Sequence, residues 1–338
     1  MKIRKCLSYD DVLLVPQYSD IKSRKEVTIG NSLGHNLYFD LPVISSPMDT
    51  ITEASMSNAM SMAGGFGIIH RYNTIEAQCK IIEELPVETF KAAAVGVTGD
   101  FFERSQALVE SGVRLLCLDV AHGHHIMMKH ALEKIKKDLN VHVMAGNVAT
   151  REGFEDLCDW GADSVRCNIG GGSICSTRVQ TGHGIPGLQT IFDCSMSNHT
   201  RNVKIIADGG LKNSGDIVKA LAAGADFVMV GSLLSGTIET PGEVYHGTDG
   251  SRYKTYRGMA SKDAQKNWRN KTSSIEGVST VVSFKGPVSE VLSELAVGIR
   301  SGLSYSGART ISELQSKAEF VSQTPAGQVE SSAHILGK

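Results

Sequence analysis

The chain predicts an α/β fold, a closed (β/α)8 barrel with an N-terminal extension and a long flap after the eighth strand. Three observations carry that expectation. Short apolar runs alternate with helical stretches, eight such runs occur, and no repeat, low-complexity tract or linker divides the sequence. Strands joined through helices must run parallel, and eight of them close most economically on themselves. The 338 residues suit one barrel, which takes about 250 before insertions.

Residues 1–40 precede the first strand and are expected to form a short hairpin-like extension. The predicted strands are Leu41–Ser45, Gly67–His70, Ala92–Val97, Arg114–Leu118, His142–Ala145, Ser164–Asn168, Lys204–Ala207 and Phe227–Val230. Helical spacing of apolar residues is clearest in Ile126–Leu139 and Gly215–Ala223. A long segment, Leu233–Gly286, separates the eighth strand from the helical stretch Pro287–Arg300. Within it Lys262–Ser274 is almost wholly polar, which at this edge of a barrel implies a lid or flap. A disordered surface loop is the alternative for those residues alone. The expected organisation is thus one catalytic domain over 1–338, with 240–286 as the flap region.

A net charge of −2 provides no attraction for nucleic acid or a membrane surface, so a phosphate-bearing ligand must be held locally. No apolar run approaches the roughly 20 residues of a membrane span. The basic start Met1–Lys5 runs into Tyr9-Asp10-Asp11 rather than a signal-peptide centre. Seven cysteines without a CxxC pair imply reduced thiols in the cytoplasm rather than disulfides or zinc.

Chemistry concentrates in the run Asn168-Ile169-Gly170-Gly171-Gly172-Ser173-Ile174-Cys175-Ser176-Thr177-Arg178. Glycines let a ligand approach the backbone, and a thiol at a strand end is placed to attack an electrophilic carbon. The plainer alternative is a small buried hydrophobe. Downstream, Ala207-Asp208-Gly209-Gly210 and Val230-Gly231-Ser232-Leu233 end the seventh and eighth predicted strands. Loops there commonly hold a phosphate on backbone N–H groups and a helix N-terminus.

Together with Leu7–Pro16, Ser45-Ser46-Pro47-Met48-Asp49-Thr50, Gly146-Asn147-Val148, Tyr256-Arg257-Gly258-Met259 and Gly307-Ala308-Arg309-Thr310, these motifs resemble the IMP dehydrogenase / GMP reductase family of purine-nucleotide enzymes, a TIM-barrel family. The resemblance implies that Cys175 attacks purine C2. It places the nucleotide phosphate on Ser173, Gly209, Gly210, Gly231, Ser232 and Tyr256, with Asp208 on the ribose hydroxyls. Ser45, Met48, Gly258 and Met259 would frame ribose and base. Asp119, Val120 and Ala121 would face the nicotinamide cofactor with Gly170 and Gly171. Carbonyls of Gly170, Gly172 and Cys175 match a loop that binds a monovalent cation, K+, in many members. A homotetramer with cofactor touching a neighbouring subunit is also implied. Each residue has a structural alternative: Asp208 as a helix cap, Met48 and Met259 as core filler, Tyr256 as a packed ring with a wet hydroxyl.

The family holds two opposite reactions. Dehydrogenases oxidise IMP with NAD to XMP, use an Arg-Tyr pair on the flap, and mostly carry CBS modules. Reductases convert GMP to IMP and ammonia with NADPH, and rely on a Thr two residues after the Cys paired with a flap Glu. Here Thr177 and Glu276 are present, no Arg-Tyr dipeptide occurs between Met259 and Glu276, Arg269 is followed by Asn270, and no space for CBS modules follows Ile69-His70-Arg71. Against this, Ser45–Met48, Tyr256–Met259 and Ala326–His334 look more like the dehydrogenase branch. Arg269 as an atypical base is disfavoured because arginine resists deprotonation. The chemistry favours NADPH-dependent reduction of GMP by way of a cysteine adduct; the alternative is an IMP dehydrogenase without CBS modules. In the favoured reading Cys175 attacks as a thiolate, and Glu276 acts through Thr177 as proton donor.

Overall fold

The computed structural model describes residues 3–197, 202–270, 272 and 275–331, apart from the side chain of Arg269. The last part of the Ala326–His334 landmark, Ser332 onward, and Lys271, Ser273 and Ser274 of the polar flap segment lie outside the described residues.

Eight parallel strands form the centre: β1 (Val43–Ser45), β2 (Phe66–Gly67), β3 (Ala92–Val95), β4 (Leu115–Asp119), β5 (His142–Val148), β6 (Ser164–Cys167), β7 (Lys204–Asp208) and β8 (Phe227–Val230). They pair in the order β2-β1-β8-β7-β6-β5-β4-β3. An Ile69–Ala93 bridge closes the seam between β2 and β3. The strand expected at Gly67–His70 is therefore displaced and short, because only isolated bridge bonds are made there. Gln78, fully buried on the next helix, reinforces this weak seam by donating to the carbonyls of His70 (3.0 Å) and Ala94 (2.9 Å).

Strand residues alternate between two cores. One set, including Leu116, Leu118, Val143 and Ala145, faces the surrounding helices. The other, including Leu115, Cys117, Met144, Ile206 and Met229, fills the barrel interior. Period-two side-chain alternation makes both possible in strands covered on each face. The helices expected at Ile126–Leu139 and Gly215–Ala223 form at Ile126–Asp138 and Ser214–Ala222. Asn213 caps the latter by accepting from Asp216 N at 2.9 Å.

The N-terminal segment contributes a hairpin, Asn31–Gly34 with Leu37–Phe39. Its turn residues His35 and Asn36 take φ of 48° and 60°, a conformation Asn adopts more readily than most. Leu33, Leu37 and Phe39 join the interior core, and Phe39 packs on Phe66 (4.4 Å between centroids) and Phe90 (5.0 Å). The hairpin thus plugs the N-terminal mouth. Further upstream, Val12–Leu14 pairs antiparallel with Phe320–Ser322.

The insertion after β8 is a small three-stranded sheet (Tyr245–His246, Arg252–Arg257, Ser279–Ser283) with a helix, Lys262–Arg269, between its last two strands. Much of the polar segment is therefore helical rather than loop. Ser261 caps the helix by accepting from Ala264 N, and Ala264 and Gln265 are buried, so one face packs while the polar face is solvated. No helix among the described residues is long and apolar enough to cross a membrane.

Candidate active site

The strand C-termini open into a cavity of ≈ 270 Å³. Every predicted site residue but one lines it: Cys175, Thr177 and Glu276, then Met48, Ser173, Asp208, Gly209, Gly210, Gly231, Ser232, Tyr256, Gly258 and Met259, with Asp119, Val120, Ala121, Gly170, Gly171 and Gly172. Ser45 is the exception. It is fully buried and its hydroxyl accepts from Thr52 Oγ1 at 2.9 Å, because alternation along β1 turns the neighbouring Ser46 toward the cavity instead.

Cys175 is exposed, as a nucleophile requires. Its Sγ–H donates to Thr177 Oγ1 at 3.2 Å, and Thr177 donates to Glu276 Oε2 at 2.8 Å. The backbone holds this chain of groups in register. Ser176 N donates to Glu276 O (2.9 Å) and Val278 N to Ile174 O (3.0 Å), joining the cysteine loop to the flap base. Gly258 and Gly277 permit that contact: a Cβ on either would lie 3.3 Å from the other's Cα. Proton movement between a thiol and a carboxylate across one hydroxyl is what this arrangement can do.

Opposite lie the glycine loops expected to cradle a phosphate. Gly209 and Gly210 have φ of 78° and 76°, and a Cβ on Gly210 would sit 3.0 Å from Gly171 O. A Cβ on Gly231 would press on Ser46 Oγ (2.9 Å) and Tyr256 OH (3.2 Å). Ser46 Oγ itself is buried without a partner, a polar atom directed to the same space as a ligand oxygen. The Lys285 ammonium accepts no role in the cavity; it donates to the carbonyls of Ser232 and Leu233, both at 3.1 Å. Drawing those carbonyls to one side leaves the loop's amides for an anion.

At the cavity floor sits Arg166, a mostly buried residue of β6. Its Nη1 donates to Asp119 Oδ1 (2.6 Å), while Nη2 and Nε donate to Asp208 Oδ2 (2.8 and 3.1 Å). Asn147 Nδ2 donates to the same Asp208 oxygen at 2.7 Å. Asn168 fixes the following backbone by donating to Asp208 O at 3.0 Å. Arg71 approaches Asp119 Oδ2 at 3.5 Å and donates to its backbone carbonyl at 3.1 Å. Burial alone would push the Asp119 carboxyl up, but the two guanidinium groups outweigh it and hold it below its ordinary value. Burial likewise pushes the Tyr256 phenol up, so it stays a neutral donor. Sequence reasoning absorbed Arg166 into an apolar strand, and it passed over Arg71 and Asp49. A lone arginine in an otherwise apolar central strand was the available signal.

Asp49 is buried and receives the flap. Arg257 Nε donates to it at 3.0 Å, and the Trp268 indole N–H donates to Oδ2 at 2.7 Å. The Asp49 amide donates to Met259 Sδ at 3.3 Å, so three flap residues meet one carboxylate-bearing turn.

An exposed cysteine facing glycine loops at the strand C-termini is the arrangement that suits a barrel enzyme of phosphate-bearing substrates. The family model for the IMP dehydrogenase / GMP reductase domain matches residues 6–334, and the chain belongs to this oxidoreductase family. An IMP dehydrogenase of Nitrosopumilus maritimus is 35% identical, over 99% of each chain. A GMP reductase of Leishmania major is 31% identical, over 98% of this chain and 97% of that one. Among solved structures, a cysteine-to-alanine variant of Trypanosoma brucei GMP reductase in complex with guanosine 5′-monophosphate superposes with a TM-score of 0.93 at 31% identity, covering 98% of each chain. The family acts with a nicotinamide cofactor, NAD or NADPH.

Proposed function

We propose that the chain is a GMP reductase that converts GMP to IMP and ammonia with NADPH. The observation that carries this reading is the Sγ–Thr177–Glu276 chain, with steps of 3.2 and 2.8 Å, held against the cysteine loop by the flap. It moves the thiol proton to Glu276 as Cys175 adds to C2 of the base. The same proton returns through Thr177 to the 2-amino group, which leaves as ammonia. Bound NADPH supplies the hydride at C2. Cys175 then departs, and the cradle of Gly209, Gly210, Gly231 and Ser46 keeps the nucleotide in place throughout. Asp208 Oδ1 has no partner among the described residues, which suits a grip on ribose hydroxyls. The flap supports reduction in a second way: Trp268 is bound to Asp49, and the stretch between Met259 and Glu276 carries no Arg-Tyr dipeptide to activate water.

The cofactor's place is supported by a second cavity of ≈ 360 Å³ sharing Arg71 and Val120 with the first. Arg104, His122 and His125 also line it, positive or protonatable groups suited to the extra phosphate of NADPH. Arg71, between the cavities, is held toward Asp119, its Nε 3.5 Å from Oδ2. Carbonyls of Gly170, Gly172 and Cys175 would furnish part of the shell of a monovalent cation; Gly172 O already accepts from Cys175 N at 3.1 Å. A homotetramer in the cytoplasm completes the reading.

Following nicotinamide absorbance with GMP plus NADPH, and separately with IMP plus NAD, tests it. GMP-dependent oxidation of NADPH is expected. NADH formation with IMP, and none of the former, overturns it in favour of IMP dehydrogenase.

A further inference from the structure

The opposite mouth of the barrel carries a second constellation. His35 stands exposed at the hairpin turn, His142 opens β5 in the interior, and Asp163 immediately precedes β6. One ligand atom from each lies within 4.8 Å of the others. His35 Nε2 is 3.0 Å from Asp163 Oδ1, and the two imidazole rings meet edge to face with centroids 5.8 Å apart. His142 is 4% exposed. Its Nε2 pairs with Ser164 Oγ at 2.9 Å, whereas its Nδ1 is buried with no hydrogen-bond partner. A neutral imidazole that donates from one nitrogen offers a lone pair on the other, and burying it unmet is costly. Val143 N donates to Asp163 Oδ2 at 2.7 Å and so orients the carboxylate with Oδ1 toward His35.

Two imidazoles and one oriented carboxylate are the donor set of a borderline divalent cation such as Zn2+. We propose that His35, His142 and Asp163 form a structural site for such a transition-metal ion, which staples the N-terminal hairpin to the barrel. Lys136 is the resident competitor, with its ammonium 3.1 and 2.9 Å from the two Asp163 oxygens. Its long stem reaches from a partly exposed helix position, so the ammonium swings to solvent when a metal takes the carboxylate. Lys136 therefore weakens the site, and its removal strengthens it.

Zinc titration of the full chain tests this, in a Cys175→Ala background that removes the exposed thiol as a ligand. Heat release and thermal unfolding are both followed. One zinc per chain is expected at this site, with the unfolding temperature rising with zinc concentration. His35→Ala, at an exposed turn position, should weaken that binding by about tenfold or more and abolish the thermal shift, while its zinc-free unfolding remains cooperative. Lys136→Met should tighten it. Zinc bound by the chain with unchanged stoichiometry and affinity after His35→Ala, or no zinc binding by the parent, overturns the proposal.

Discussion

Cys175, Thr177 and Glu276 are linked by hydrogen bonds, and under the proposed function their substitutions should differ in kind. Cys175→Ala is expected to abolish turnover while leaving nucleotide affinity within a few-fold, because the cradle lies on other strands. Glu276→Gln removes the proton acceptor but keeps the hydrogen bond to Thr177, so kcat should fall by about 10²–10⁴ with a small change in KM. Equilibrium binding beside steady-state rates distinguishes the two. Arg166 belongs to the same scale but to stability. Arg166→Met would leave Asp119 with Arg71 alone and Asp208 with only the Asn147 amide, and urea unfolding should show a loss of about 1.5–3 kcal/mol. The pH dependence follows from Asp119, whose folded carboxyl titrates below its unfolded value of 3.8. Its contribution is complete above the unfolded pKa and is lost as pH falls through the folded one. Asp119→Asn should flatten that acid limb of the stability profile. Cys175 was marked by its glycine context, and Thr177 and Glu276 by the family resemblance alone; Arg166 was not marked, because a charge neutralised by two partners distant in sequence leaves no local pattern.

At the level of elements, the flap is held by Asp49 through Arg257 and Trp268. A hydrogen bond to a charged acceptor contributes about 1.5–3 kcal/mol, so Trp268→Phe should weaken flap closure by about tenfold or more. Hydrogen exchange over 260–270 should rise accordingly, and KM should rise with it. The sequence marked this segment as a flap by its polarity, yet its helix escaped notice. With a nearly unbroken polar face, Lys262–Arg269 shows periodicity only in Ala264 and Gln265, which pack beneath it. Strands were the opposite case. All eight were visible as apolar runs, and only the β2–β3 seam, where bridge bonds replace a ladder, moved from its expected place.

For the whole molecule, the plug matters as much as the barrel it closes. Phe39 joins Phe66, Phe90 and Phe227 from a hairpin outside the eight repeats. Truncating it to alanine should cost about 3–5 kcal/mol, readable as a lower urea midpoint. The sequence indicated an extension of hairpin type but not its destination, since nothing local records which mouth of a barrel a hairpin enters. The pairing of Val12–Leu14 with Phe320–Ser322 has its own consequence for synthesis. The barrel can close once β8 has left the ribosome, yet the first strand of the chain must wait for nearly the last. During translation that arm stays without its mate until Phe320–Ser322 emerges, a long interval in which an unpaired strand edge is open to misassembly.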